Sequence, residues 1–243
     1  DLSASIFFSI TINFSEDEKS LIVSCSINNP ISGLCSYDPK TRILKEIYRH
    51  SKVEMMAPIY QHDLNEPLAL TVVDGKPERI WLNKKAKMSK KLRGIEKAFP
   101  GYYVTIASAS RDDAEIVLYV RSDKDPGGFY IFNTETNELK DLGMNTRGWI
   151  KSEEMTEMEP ISFKARDGLE INGYLTRPKS KKENLPMVMF VHGGPHGVRD
   201  YWRYNSQVQF LANRGYAVMQ LNYRGSGGYG MDFLEAGFLN WGT

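Results

Sequence analysis

An ungapped internal repeat constrains this chain more than any other feature. Residues 15–47 superpose on residues 110–142 at a constant offset of 95. Leu21 and Ile22 fall on Ile116 and Val117, Tyr37 on Phe132, and Leu44 on Leu139. The turn residues agree as well: Gly33 meets Gly128, Asp38 meets Asn133, and Thr41 meets Thr136. Short apolar runs between polar turns continue over residues 1–155, at 6–12, 21–24, 68–73, 102–106, 116–120 and 129–132, which is the pattern of an antiparallel meander. A four-stranded propeller blade takes roughly 40–50 residues, so the offset suits two blades. An intervening blade would hold residues 69–73 and 79–81. About three blades cannot close a ring, because rings take about four to eight. Either further blades precede Asp1 or the region is an ordinary β-sandwich; the repeat favours the propeller.

The balance of 31 basic and 30 acidic residues, a net charge of +1, argues against a general nucleic-acid binder. The apolar run at 187–191 is far too short to cross a membrane, and Asp1-Leu2-Ser3 carries no secretory signature. Cys25 and Cys35 flank a turn-like segment and are too few for a disulfide framework. A cross-strand disulfide is open to them. The repeat sets Cys25 over Val120 and Cys35 over Tyr130, which favours packed free thiols. The densest basic run, residues 84–93, reads as a solvated loop. The acid pairs Asp112-Asp113 and Glu153-Glu154 sit in turn-like contexts. No His, Cys and acid cluster has metal spacing, and no phosphate loop occurs.

From about Glu159 the grammar changes. Residues 161–164 and 169–175 read as a hairpin around Asp167-Gly168. After a polar, basic connection at 179–184, Met187-Val188-Met189-Phe190-Val191 suits a strand buried on both faces of a mostly parallel sheet. Residues 204–214 carry helical spacing with Gly215 as a stop, and residues 216–221 form another buried-strand run. Strand, helix, strand makes a βαβ unit. Residues 231–240 begin a second helix.

Two glycine-rich segments follow the two strands. His192-Gly193-Gly194-Pro195 lets the backbone turn sharply and approach a ligand closely. A bare N–H there can donate to an oxygen that becomes negative, which is the requirement of an oxyanion hole. Gly194 is the preferred donor, with Gly193 and Pro195 shaping the loop and His192 bracing it. A merely tight loop is the competing explanation. The second segment, Asn222-Tyr223-Arg224-Gly225-Ser226-Gly227-Gly228-Tyr229-Gly230, also lies at the carboxyl end of a strand, where open α/β sheets bind ligands.

These two segments, together with His196, Phe233, Ala236-Gly237 and Trp241-Gly242, resemble the opening of the catalytic domain in the prolyl oligopeptidase family of serine peptidases. The acylaminoacyl-peptidase-like branch is the nearest. The lead-in Glu159-Pro160-Ile161-Ser162-Phe163, then Asp167-Gly168 and Gly173-Tyr174-Leu175, resembles that branch's junction between propeller and hydrolase. The match is specific over residues 158–242 and only architectural before that. It implies a mixed fold: a partial antiparallel β-propeller at 1–157, followed by an incomplete α/β-hydrolase domain at 158–243. Relatives with a tyrosine at the position of His192 use its hydroxyl in the oxyanion hole. A histidine resembles the branch that uses the glycine backbone, which again points to Gly194. Arg224 and Tyr229 would line the rim of the active site.

The family's nucleophile sits in a Gly-x-Ser-x-Gly elbow, with the Asp and His of the triad after it. These 243 residues contain no such elbow. Ser226 has Arg224, not glycine, two residues before it, and His50, His62 and His196 are not placed to be the base. The expectation is a fragment without its triad, inactive alone, from a parent that cleaves short peptides or acylated amino acids. No cofactor, nucleic acid or membrane is expected, and a homo-oligomer stays open. The compartment is open too, with the cytoplasm slightly favoured. An esterase of the same fold and a non-catalytic propeller scaffold are the rival functions.

Overall fold

The turn residues shared by the two repeats decide where strands end. The computed structural model describes residues 7–15, 17–61, 64–144, 147–179 and 183–240. In it, β1 (Phe7–Phe14), β2 (Leu21–Ser26), β3 (Gly33–Asp38) and β4 (Ile43–Tyr48) form one antiparallel sheet in chain order. Beyond them come β5 (Ile59–Gln61), β6 (Leu64–Asp74) and β7 (Lys76–Trp81), a three-stranded antiparallel sheet, and then helix α1 (Lys87–Ala98). The second repeat builds β8 (Tyr103–Ala109), β9 (Glu115–Arg121), β10 (Gly128–Asn133) and β11 (Leu139–Asp141), again an antiparallel meander. The 95-residue offset carries β3 onto β10 residue for residue.

The turns repeat atom for atom. Asp38 Oδ1 accepts the Lys40 and Thr41 amides at 2.8 and 3.3 Å, and Asn133 Oδ1 accepts those of Glu135 and Thr136 at 3.0 and 2.9 Å. The Ser15 hydroxyl donates to Asp17 at 2.7 Å and accepts the Ser20 amide at 2.9 Å. Ser110, Asp112 and Glu115 do the same at 2.6 and 3.0 Å. These are side-chain mimics of a backbone turn, the reason Ser, Asp and Asn punctuate strands. The Ser15, Thr41 and Ser110 hydroxyls hold the carboxyls of Asp17, Asp38 and Asp112 below the usual aspartate range.

Two expectations are corrected in these regions. The basic run at 84–93 is not a loop: from Lys87 it forms α1. Met88, Leu92 and Ile95 are buried at helical spacing while Lys87, Lys90, Arg93 and Lys97 are exposed. Lysine is a good helix former, so the charges coat one face of an amphipathic helix. Lys91 donates to the Thr134 carbonyl and, at 3.0 Å, to Asn137. The cysteines are not free thiols. Cys25 faces Gly33 and Cys35 faces Val23, so the two are diagonal neighbours across β2 and β3. A Cα–Cα distance of 6.0 Å lets them join as a disulfide.

The described residues gather into two compact units, Asp1–Ser89 with Gly194–Arg199 and Arg224–Thr243, and Lys90–Gly193 with Asp200–Tyr223. The first unit centres on Ile22, Leu34, Val53, Leu70 and Val72. The second unit contains, besides β8–β11, a sheet of order β12-β13-β15-β14. Its strands are β12 (Met158–Lys164), β13 (Glu170–Thr176), β14 (Met187–Met189) and β15 (Ala217–Asn222). Gly168, at φ +88°, closes the β12–β13 hairpin by donating to the Ala165 carbonyl at 2.9 Å. Helix α2 (Ser206–Asn213) connects β14 to its parallel partner β15. Asn205 caps that helix by accepting the Gln207 and Val208 amides at 3.0 and 3.2 Å, and Gly215 at φ +93° follows its end.

This sheet is mixed rather than mostly parallel, since β12–β13 and β13–β15 pair antiparallel. Nor is β14 buried on both faces. Met187 and Met189 are 55% and 47% exposed, because β15 is the strand's one neighbour among the described residues.

Candidate active-site loops

In the second unit the strand order brings the ends of β14 and β15 together. The Phe190 amide extends their pairing to the Met219 carbonyl at 2.8 Å. Asn222, fully buried at the end of β15, grips the Asp200 backbone from both sides. Its Oδ1 accepts the Asp200 amide at 2.7 Å, and its Nδ2 donates to the Asp200 carbonyl at 3.1 Å. With Asn222 locked, the next residue has a fixed exit. The Tyr223 ring stacks on His192 with centroids 4.4 Å apart and planes 19° apart. Its hydroxyl donates to the His192 and Gly193 carbonyls at 3.1 and 3.3 Å. His192 Nδ1 lies 2.7 Å from the Gly193 carbonyl, a hydrogen bond when that nitrogen carries the proton.

His192 is therefore half-buried, with its ring stacked on Tyr223. Gly193 is exposed, and a Cβ there would meet no atom within 4 Å. Tyr223 did not figure as a site residue in the sequence. Its one signal was its place directly after the strand end.

In the first unit, Gly194 and Pro195 are exposed and joined by a cis peptide. Gly227, Gly228 and Gly230 have a packing reason to be small. A Cβ on Gly227 would sit 2.4 Å from the Gly197 carbonyl oxygen. On Gly228 it would meet Arg199 Nη1 at 2.7 Å, and on Gly230 it would meet Ile31 Cδ1 at 2.6 Å. Their neighbours tie the segment down: the Gly227 amide donates to Val198 O, and the Met231 amide, opening α3 (Met231–Glu235), donates to Pro30 O at 2.9 Å.

Arg199, only 6% exposed, is a residue that sequence reasoning missed. Its guanidinium donates to Val73 O at 3.1 Å and to the Tyr229 hydroxyl at 2.8 Å. It also lies 4.1 Å from the centre of the Tyr229 ring, a cation–π contact. Tyr229 is half-buried and packs against the Ile22 cluster. Arg224 is half-buried at the head of the segment.

The remaining described candidates have other surroundings. Ser226 is 1% exposed. His50 Nδ1 accepts the Lys52 and Val53 amides, both at 3.2 Å, and so caps a turn. The ring of His196 meets Phe238 edge-on at 4.8 Å. His62, Trp241 and Gly242 lie outside the described residues. Among the described residues no group of His, Cys, Asp and Glu is arranged to hold a metal ion.

Comparison with known proteins places this geometry in context. Residues 202–243 match the model of the prolyl oligopeptidase family. The chain is similar to dipeptidyl aminopeptidase BIII of Pseudoxanthomonas mexicana, 32% identical over 158 residues, covering 62% of this chain and 22% of that protein. It is also similar to the acylamino-acid-releasing enzyme of Arabidopsis thaliana, 37% identical over 65 residues, covering 26% and 8%. A solved puromycin-hydrolyzing peptidase of Mycobacterium tuberculosis shares its fold, with a TM-score of 0.62 at 19% identity over 92% of this chain and 35% of that one. The chain thus spans about a fifth of the first relative and about a third of the solved structure.

Proposed function

We propose, from the premise that this chain belongs to the prolyl oligopeptidase family, that it supplies late propeller blades and the oxyanion loop of a serine peptidase. The division at about residue 157 between a partial β-propeller and the start of an α/β-hydrolase domain is part of this reading. The substrates are short peptides or acylated amino acids, in keeping with relatives named as dipeptidyl and acylamino-acid-releasing enzymes.

The reaction starts from a serine hydroxyl that these residues do not supply. Its oxygen attacks the scissile carbonyl while a histidine takes its proton. The carbonyl oxygen becomes an oxyanion, and the Gly194 N–H donates to it. The C–N bond breaks, the departing amine takes the proton, and water then hydrolyses the acyl-enzyme. His192 holds the loop and takes no proton in the reaction. The observation that carries the reading is the Tyr223 brace, which locks the backbone before Gly194 while leaving Gly193 exposed. Preorganised donors of this kind are worth about 10²–10³ in kcat each.

Because the triad lies outside these residues, the chain alone turns over no substrate by this route. The test is hydrolysis of acetyl-aminoacyl p-nitroanilides by the 243-residue chain and by its parent protein. Turnover by the parent and none by the chain is the expected result. Triad-like rates from the chain alone, or none from the parent, overturn the reading.

A further inference from the structure

From a second site within the unit that contains β8–β11, we infer that this protein binds the carboxylate of a peptide in an arginine-lined cleft. The cleft has a volume of about 420 Å³ and is lined by Arg121, Arg147, Arg203, Tyr119, Tyr204 and Asp125. Three guanidiniums and one carboxylate give its lining a surplus of positive charge. The carboxylate is already engaged: Asp125 accepts the Tyr102 hydroxyl at 3.1 Å and the Gly127 amide at 2.8 Å. It shapes a turn with neutral donors. Neither Arg121 nor Arg203 forms an ion pair among the described residues.

The cleft is built rather than incidental. Arg121 lies over the rings of Tyr103 and Tyr119, 5.7 and 6.0 Å from their centres. Arg147 lies over Tyr204 at 5.9 Å. Stacking on the two aromatic faces orients the Arg121 guanidinium while leaving its in-plane N–H groups to bind an anion. Tyr119 is itself fixed, stacked on Phe129 at 4.8 Å with its hydroxyl donating to the Pro126 carbonyl. Tyr204 is pinned by its amide to the Ser122 carbonyl at 2.9 Å. Gathering like charges around one cleft is unfavourable without a counter-charge, and an entering anion relieves that repulsion. Planar guanidiniums match a carboxylate through two parallel hydrogen bonds, and tyrosine rings beside them suit the apolar part of a peptide.

That the anion belongs to a peptide rests on the proposed function; the preference for a carboxylate does not. Two sources offer the same chemistry, a peptide's C-terminal carboxylate and an Asp or Glu side chain. Titration calorimetry of the 243-residue chain at low salt separates them. The ligands are an N-acetylated tripeptide acid with no charged side chain, its C-terminal amide, and an amide carrying one glutamate. The free acid or the glutamate peptide should bind roughly tenfold more tightly than the neutral amide, and the tighter of the two identifies the source. Arg121→Gln with Arg203→Gln should erase that preference without changing the far-UV spectrum. Arg203 is exposed, so Arg203→Gln alone keeps the test open should the double variant melt early; it should weaken the preference about threefold.

Equal affinity for acid and amide overturns the inference, as does a preference that survives in the folded double variant. Inorganic phosphate binding through the same arginines while neither carboxylate peptide binds also overturns it. No hydrolysis is read in this experiment. A parent without turnover whose chain keeps the preference would remove the peptidase reading and leave the carboxylate site standing.

Discussion

The two glycine-rich segments look alike in sequence and differ in structure. Gly193 faces open space, while Gly227, Gly228 and Gly230 each face an atom closer than a Cβ tolerates. Gly228 and Gly230 also adopt φ of +81° and +88°, a region that L side chains rarely enter. The second segment is glycine because neighbouring backbone and the buried Arg199 guanidinium leave no volume. Lack of volume does not explain Gly193, since the space beside it is empty among the described residues. The contrast assigns packing to the second segment and is consistent with the access proposed for the first, which a count of glycines cannot do.

Substitutions test that contrast directly. Gly227→Ala should have the largest effect. Its Cβ would press on the Gly197 carbonyl, a backbone atom that cannot swing aside, at a cost of about 3 kcal/mol in urea unfolding. Arg199→Met should come next, at about 2 kcal/mol. It keeps the packed stem but leaves the Val73 carbonyl without its donor in a buried setting. A loss below about 0.5 kcal/mol for both would mean that the second segment is not held by packing.

A smaller effect distinguishes the repeats. Asp38 is an acid where the second repeat has Asn133. Its carboxyl is held low, so the folded state keeps it ionised after the unfolded chain has taken up a proton. Its contribution is present above the ordinary aspartate value of 3.8 and fades as pH falls through the depressed one. Asp38→Asn should leave the neutral-pH melting temperature nearly unchanged and flatten its decline as pH falls below the ordinary aspartate value of 3.8. An unchanged acid limb would show that the exposed turn does not report on folding. Smallest of all is Gly193→Ala, expected within about 0.5 kcal/mol of the parent sequence.

Local rules explain what could be read from the sequence. The offset that set Gly33 on Gly128 and Asp38 on Asn133 fixes both meanders, because strand length follows turn chemistry and turn chemistry is local. The Asp167-Gly168 hairpin and the strand, helix, strand passage at β14, α2 and β15 were legible for the same reason. The missed features depend on something non-local or on weighing one signal against another. At the start of α1, five lysines and one arginine from Lys84 to Arg93 concealed the spacing of Met88, Leu92 and Ile95. The disulfide needed the register that sets Val23 opposite Cys35, which no spacing rule supplies. Arg199 meets Val73 across more than a hundred residues, and the exposure of β14 depends on which neighbours its sheet contains. Around the candidate loops the two glycine-rich stretches after the strands could be read from the sequence, whereas the stacking of Tyr223 on His192 required β15 to lie beside β14.

The central claim is that the first glycine segment is small for the sake of an approaching oxygen. Measuring kcat/KM and melting temperature together for Gly193→Ala in the parent protein tests it. The account predicts a melting temperature unchanged within about 2 °C and a kcat/KM lowered by about tenfold or more, because a methyl group would occupy the space beside the donor. An unaltered kcat/KM, or a loss of activity that only tracks a lowered melting temperature, would contradict it.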